Sequence, residues 1–106
     1  MNIELFTELN FDNPQSKFID VDIDENLSIG ELLTEIHKIM KIPTYTELEW
    51  DGKVEKISCR YYFKFEPKIG SFNSIEDLKQ KISDFPKKGS NNELSILIDG
   101  SVGVAN

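Results

Sequence analysis

The sequence is poor in the residues that carry most chemistry. It has one cysteine, Cys59, and one histidine, His37, among 106 residues. A single cysteine excludes an internal disulfide and any zinc site built from several thiolates. The six glycines are scattered, so no glycine-rich loop is available to cradle a phosphate. No apolar run approaches the roughly 20 residues that a bilayer-spanning helix needs. The opening stretch MNIELFTELNFDN carries acids where a signal peptide carries a basic region. The expected location is therefore cytoplasmic. Basic residues are also in deficit: Lys and Arg number 12 against 19 Asp and Glu, for a formal charge of −7 and a pI near 4.6. Nucleic acids and anionic membranes both demand clustered positive charge, so neither is an expected partner.

What is present suits one globular domain. The apolar fraction is 39% and the charged fraction 29%, in the range of soluble folded chains. The expectation is one α+β domain spanning residues 1–106. Alternation marks strands at 2–8, where Ile3 and Leu5 share a face, and at 17–23, where Ile19, Val21 and Ile23 do. A helix is expected at 29–40. Ser28 and Glu31 have the spacing of a capping box, and Ile29, Leu32, Leu33, Ile36 and Met40 recur at helical spacing. Pro43 stops that helix near Lys41.

The segment TELEWDGK reads as a strand entering an Asp51-Gly52 turn, a hairpin signal. VEKISCRYYFKFEP can supply one or two strands, with Tyr61, Phe63 and Phe65 facing away from Arg60, Tyr62 and Lys64. A second short helix is expected from Ser74, with Ile75, Leu78, Ile82 and Phe85 as its apolar stripe. LSILIDG is the last clear strand. The predicted fold is thus a mixed β-sheet of four or more strands, with one main helix packed on one face and a second short helix. The predicted core is Ile3, Leu5, Ile19, Val21, Ile23, Leu32, Leu33, Ile36, Met40, Leu48, Trp50, Leu78, Ile82, Ile96 and Ile98.

The stretch DVDIDENLSIGE mimics a calcium loop. Asp20, Asp22, Asp24, Ser28 and Glu31 fall at positions one, three, five, nine and twelve. Position six must be glycine for the sharp turn, and here it is Glu25. The preceding residues alternate like a strand, whereas a calcium loop emerges from a helix. The acids are better read as strand and helix-cap residues, and no metal or other cofactor is expected. His37 and Cys59 lack the motifs of a nucleophilic pair. Cys59 reads as a small buried hydrophobe, and no enzymatic activity is expected.

The order of elements resembles ubiquitin-like β-grasp domains. KIPTYTELEWDGK is similar to the segment in which those proteins leave the helix through Ile-Pro and enter a strand. SIEDLKQKI and NELSILI are similar to their late helical segment and last strand. The resemblance implies a last strand placed centrally, whereas a hairpin through Asp99-Gly100 into SVGVA would imply a meander. On this alignment residues 54–71 are an insertion. The family's exposed apolar residue of the third strand is replaced by Glu49, and the ending GSVGVAN lacks the double glycine of a transferable modifier.

The functional expectation follows from strand parity. If Ile3, Leu5, Ile19, Val21, Ile23, Ile96 and Ile98 face the helix, the open face carries the other parity. The candidate partner-binding residues are Glu4, Phe6, Glu8, Phe18, Asp20, Asp22, Glu47, Glu49, Leu97 and Asp99. An apolar centre with a charged rim is interface anatomy. The expected function is a non-enzymatic protein-binding module using this acidic surface. The alternative is a small acidic immunity protein or antitoxin that neutralises a basic toxin by direct binding. A second small core under a cover of residues 54–71 or the second helix is the competing reading of Phe6 and Leu97.

Overall fold

A computed structural model describes residues 1–8, 15–64, 72–87 and 92–100. Strand β1 (Asn2–Glu8) pairs antiparallel with β2 (Gln15–Asp20), and helix α1 (Ile29–Met40) follows. β3 (Tyr45–Trp50) and β4 (Lys53–Ser58) form a hairpin, then β5 (Arg60–Lys64), β6 (Phe72–Ser74) and β7 (Leu94–Asp99) complete the strands. The main sheet runs β2-β1-β7-β5-β6, with β1 and β7 parallel and the other neighbours antiparallel. The β3–β4 hairpin forms a separate two-stranded sheet. The described residues form an α+β fold with a five-stranded mixed sheet, one α-helix and one 3-10 turn. Among the described residues, no helix is long and apolar enough to cross a membrane.

Helix α1 forms where the sequence asks for it. The Ser28 hydroxyl accepts from the Glu31 N–H at 3.2 Å, and the Glu31 carboxylate accepts from the Ser28 N–H at 3.0 Å. This reciprocal pair satisfies two donors that a helix start leaves open. Lys41 ends the helix in the left-handed conformation, φ 55°. The helix buries Ile29, Leu32, Leu33 and Ile36 against Ile3 and Leu5 of β1 and Leu94, Ile96 and Ile98 of β7, within one apolar cluster that also holds Val21, Ile75, Ile82 and Phe85. Each fully buried aliphatic side chain contributes roughly 1.5–3 kcal/mol, so this layer dominates the stability of the fold.

β7 lies between β1 and β5 and is hydrogen-bonded on both sides. It has no free edge for a following strand, so a meander through Gly100 is excluded for residues 94–98. Residues 101–106, where that returning strand was expected, lie outside the described residues.

Several expectations are corrected. The second helix does not form over 74–85. Ser74 ends β6, and only Ile82–Asp84 make a 3-10 turn. The reason is competition for backbone groups. The carbonyls of Leu78 and Gln80 accept from the first two N–H groups of α1, Gly30 at 3.0 Å and Ile29 at 2.7 Å. The Ile82 and Ser83 N–H groups reach across to the Leu27 and Glu25 carbonyls. These tertiary bonds use the groups that an α-helix would pair internally. Leu78 is consequently exposed, while Ile82 and Phe85 are buried.

Leu48 and Trp50 are also not core. Both belong to the hairpin outside the sheet, Leu48 is only half-buried, and Trp50 is 54% exposed. Ile19, Ile23 and Met40 are partly buried at the margin of the core. The segment that stands outside the main sheet is 45–58, whereas residues 60–64 join it beside β7. Of the expected insertion at 54–71, residues 54–58 belong to the hairpin, 60–64 join the main sheet, and 65–71 lie outside the described residues. The second strand also stops at Asp20, short of 23.

Candidate functional site

The strand registers assemble the open face row by row. Phe18, Glu4 and Ser95 are cross-strand neighbours on β2, β1 and β7. Ser16, Phe6, Leu97, Tyr62 and Ser74 form the next row, across all five strands. Glu8, Asp99 and Arg60 form the third. Phe6 and Leu97 therefore meet directly, as strand parity and a central last strand require.

The centre of this face closes over itself. Neighbouring strands lie about 4.8 Å apart, so β1 and β6, three steps apart, are separated by about 14 Å. Yet the Phe6 and Phe72 ring centroids are 5.4 Å apart, edge to face. The two rings lean toward each other across the intervening strands. The Lys64 ammonium stands 6.0 Å from both centroids, at the outer range of a cation–π contact. Phe6, Tyr62, Leu97 and Phe72 are each half-buried. This is a small second apolar cluster, roofed by its own aromatics.

The acids are less uniform than strand parity alone suggests. Ser95 is fully buried, and its hydroxyl donates to the Glu4 carboxylate at 2.6 Å. Asp99 pairs with Arg60 at 3.3 Å. Asp20 accepts from the Met1 ammonium at 2.9 Å, with its side chain still 77% exposed. Asp22 is exposed beyond the end of β2, and Glu8 is half-buried at the end of β1. Glu47 and Glu49 are exposed on β3 and do not belong to this face at all. The charge is polarised: acids lie toward β2 and β1, whereas Arg60 and Lys64 lie on β5.

Phe18 stands at the acidic end and is 63% exposed. Beside it is a shallow depression of about 270 Å³ lined by Asn2, Phe18, Ile19, Asp20 and Glu93. Glu93, Tyr62, Arg60, Lys64 and Phe72 are members of the face that the expected set omits. Alternation already separated Tyr62, Arg60 and Lys64 from Tyr61 and Phe63. What was missing was the strand's place beside β7.

The calcium-like stretch is occupied by structural contacts. Asp20 holds the Met1 ammonium, the Asp24 carboxylate accepts from the Asn26 N–H at 2.9 Å, and Ser28 and Glu31 form the helix cap. Glu25, where the loop needs glycine, takes the Ser83 N–H on its carbonyl and Lys87 on its carboxylate.

His37 and Cys59 are each hydrogen-bonded to other groups. The Ile42 carbonyl, 2.9 Å from His37 Nδ1, can only accept, so Nδ1 carries a proton. In the neutral ring Nε2 then accepts from the Tyr61 hydroxyl at 2.7 Å. Burial pushes the Tyr61 phenol up to about 12, helped by the neighbouring Cys59. The Cys59 thiol donates to the Pro43 carbonyl at 3.4 Å. Burial raises its pKa, Asp99 adds to the rise and Arg60 opposes it. A protonated thiol is a poor nucleophile. These contacts tie the end of α1 to the start of β5.

Comparison with protein-family models, with curated proteins and with solved structures returned no match.

Proposed function

We propose that this chain is a non-catalytic protein-binding module on a ubiquitin-like β-grasp scaffold, and that its partner docks on the acidic end of the sheet's open face. Two features support the scaffold: the strand order β2-β1-β7-β5-β6 and the central last strand paralleling the first. The observation that carries the binding reading is Phe18. A large aromatic is held on a strand, 63% exposed, at the lip of a depression flanked by the carboxylates of Asp20 and Glu93. A rigid aromatic beside an acidic hollow suits the aliphatic stem and charged head of a lysine or arginine. The partner is therefore a protein with a basic surface.

The net charge of −7 would speed encounter with such a partner. It also favours a narrower form of the same reading, an immunity protein or antitoxin that occupies a basic toxin. The test is affinity capture from source cells with the wild-type chain and with Glu93→Lys in parallel, followed by identification of the retained protein. A basic protein held by wild type, released by added salt and not held by Glu93→Lys supports the reading. Equal retention by both chains contradicts it. If the captured protein is a toxin whose activity the chain blocks, the inhibitor form is correct.

A further inference from the structure

The outer strand β2 offers a second kind of contact, read from its backbone. Met1 and Val21 exchange both hydrogen bonds, Val21 N–H to Met1 C=O at 2.9 Å and the Met1 ammonium to Val21 C=O at 2.9 Å. They continue the β1–β2 register without a break. In an antiparallel ladder such pairs alternate. The inward-pointing residues of β2 are therefore 15, 17 and 19. The N–H and C=O groups of Ser16, Phe18 and Asp20 point away from β1, to the free edge of the sheet. The opposite side of β1 agrees: the Glu8 carbonyl points toward β7 and accepts from Gly100 N–H at 2.8 Å. Among the described residues, no strand pairs with that edge.

We propose that this edge pairs with the same edge of a second copy of the chain, antiparallel, about a two-fold axis through Phe18. The register is fixed by physical requirements. Opposed residues must share a face, and both must point their backbone groups at each other. A two-fold at Phe18 meets both conditions. Phe18 opposes Phe18 of the second copy, and Ser16 opposes Asp20, twice. All three outward pairs can then exchange both backbone hydrogen bonds. The side chains match as well. The Ser16 hydroxyl can donate to the Asp20 carboxylate, and the two exposed Phe18 rings cover each other as a cross-strand aromatic pair. On the helix side, Lys17 opposes Ile19 and can lay its aliphatic stem along it. The result is one continuous ten-stranded sheet with both helices on the same side. Each copy carries a formal charge of −7, so like-charge repulsion opposes the pairing and added salt strengthens it. Both contacts use Phe18, so a second copy and a basic partner compete for it; added salt favours the second copy and weakens the basic partner, which separates the two.

Sedimentation equilibrium of the full chain over a range of concentration and salt tests the proposal. The expected result is a monomer–dimer equilibrium that shifts to dimer as salt rises. Phe18→Pro removes an outward N–H that the β1–β2 ladder does not use, and circular dichroism reports whether the fold survives it. Phe18→Asp and Phe18→Lys change only an exposed side chain. Each is expected to be monomeric alone, and their mixture to form a heterodimer, because opposite charges then face each other at the axis. Monomer at every concentration and salt overturns the proposal. So does a dimer unaffected by Phe18→Asp, or a mixture of the two charge variants that stays monomeric.

Discussion

The β3–β4 hairpin and the sheet beside it are built from the same kind of sequence, yet they differ in almost everything else. In β7 the alternating residues Leu94, Ile96 and Ile98 are fully buried under α1. In β3 the alternating residues Thr46, Leu48 and Trp50 are half-buried or exposed, and on the hairpin's other face Val54, paired with Glu49, is 60% exposed. The hairpin is well formed locally. Asp51 and Gly52 both have positive φ, 51° and 72°, which is the two-residue turn whose twist matches the strands. Its anchorage to the body is at its base, where Thr46 donates to the Gly100 carbonyl and Cys59 to that of Thr44. A lone two-stranded hairpin is only marginally stable in water. Alternation therefore specifies a strand with two unlike faces, and tertiary pairing decides whether either face is buried.

The largest effect should come from the body. Ile36→Ala empties a site that is 0% exposed and should cost roughly 2–5 kcal/mol in chemical denaturation. Gly30→Ala should come next, with a sign opposite to helix propensity. In an open helix the change gains about 1 kcal/mol. Here the added Cβ would meet the Leu78 carbonyl oxygen at 3.0 Å and Leu78 Cβ at 3.2 Å. That carbonyl is held by the Gly30 N–H, so it cannot retreat without losing its bond. Thermal melting should show a net loss of stability.

Tyr61 adds a pH signature to the junction between the regions. Its folded pKa, pushed up to about 12, exceeds the unfolded value of about 10. Folding thus favours the protonated phenol, whose contribution is complete below pH 10 and lost as pH rises toward 12. Tyrosinate absorbance should show a late-titrating phenol that Tyr61→Phe removes, together with this part of the alkaline destabilisation. The smallest effect belongs to the hairpin tip. Trp50→Ala should change global stability by less than about 0.5 kcal/mol, and β3–β4 amides should exchange with deuterium faster than those of β7. Slow exchange there would mean that the two regions share one cooperative unit.

Local signals were the most legible in the sequence. The capping box at Ser28, the span of α1, the turn at Asp51-Gly52 and the buried parity of Ile3, Leu5, Ile96 and Ile98 all follow from spacing alone. What escaped depends on distant partners. Trp50 looks like core because its neighbours alternate, and only the absence of its strand from the main sheet exposes it. The apolar stripe at Ile75, Leu78, Ile82 and Phe85 has helical spacing, but the N-terminus of α1 takes the carbonyls that a helix would need. For the candidate site, parity put Phe6 and Leu97 on one face, and only the β-grasp resemblance set their strands side by side, as the register has them. The pairing of Glu4 with Ser95, the lean of Phe72 onto Phe6 and the hollow between Phe18 and Glu93 required the strand order.

The central claim is that a partner binds the open face of the sheet and leaves the hairpin free. The direct measurement is the affinity of the captured partner for Phe18→Ala and for Trp50→Ala, two exposed aromatics from the two regions, each checked for an unchanged fold. The account predicts that Phe18→Ala weakens binding by about 2 kcal/mol or more, as loss of an interface anchor does, while Trp50→Ala leaves it within about twofold. The reverse order would contradict it and assign binding to the hairpin.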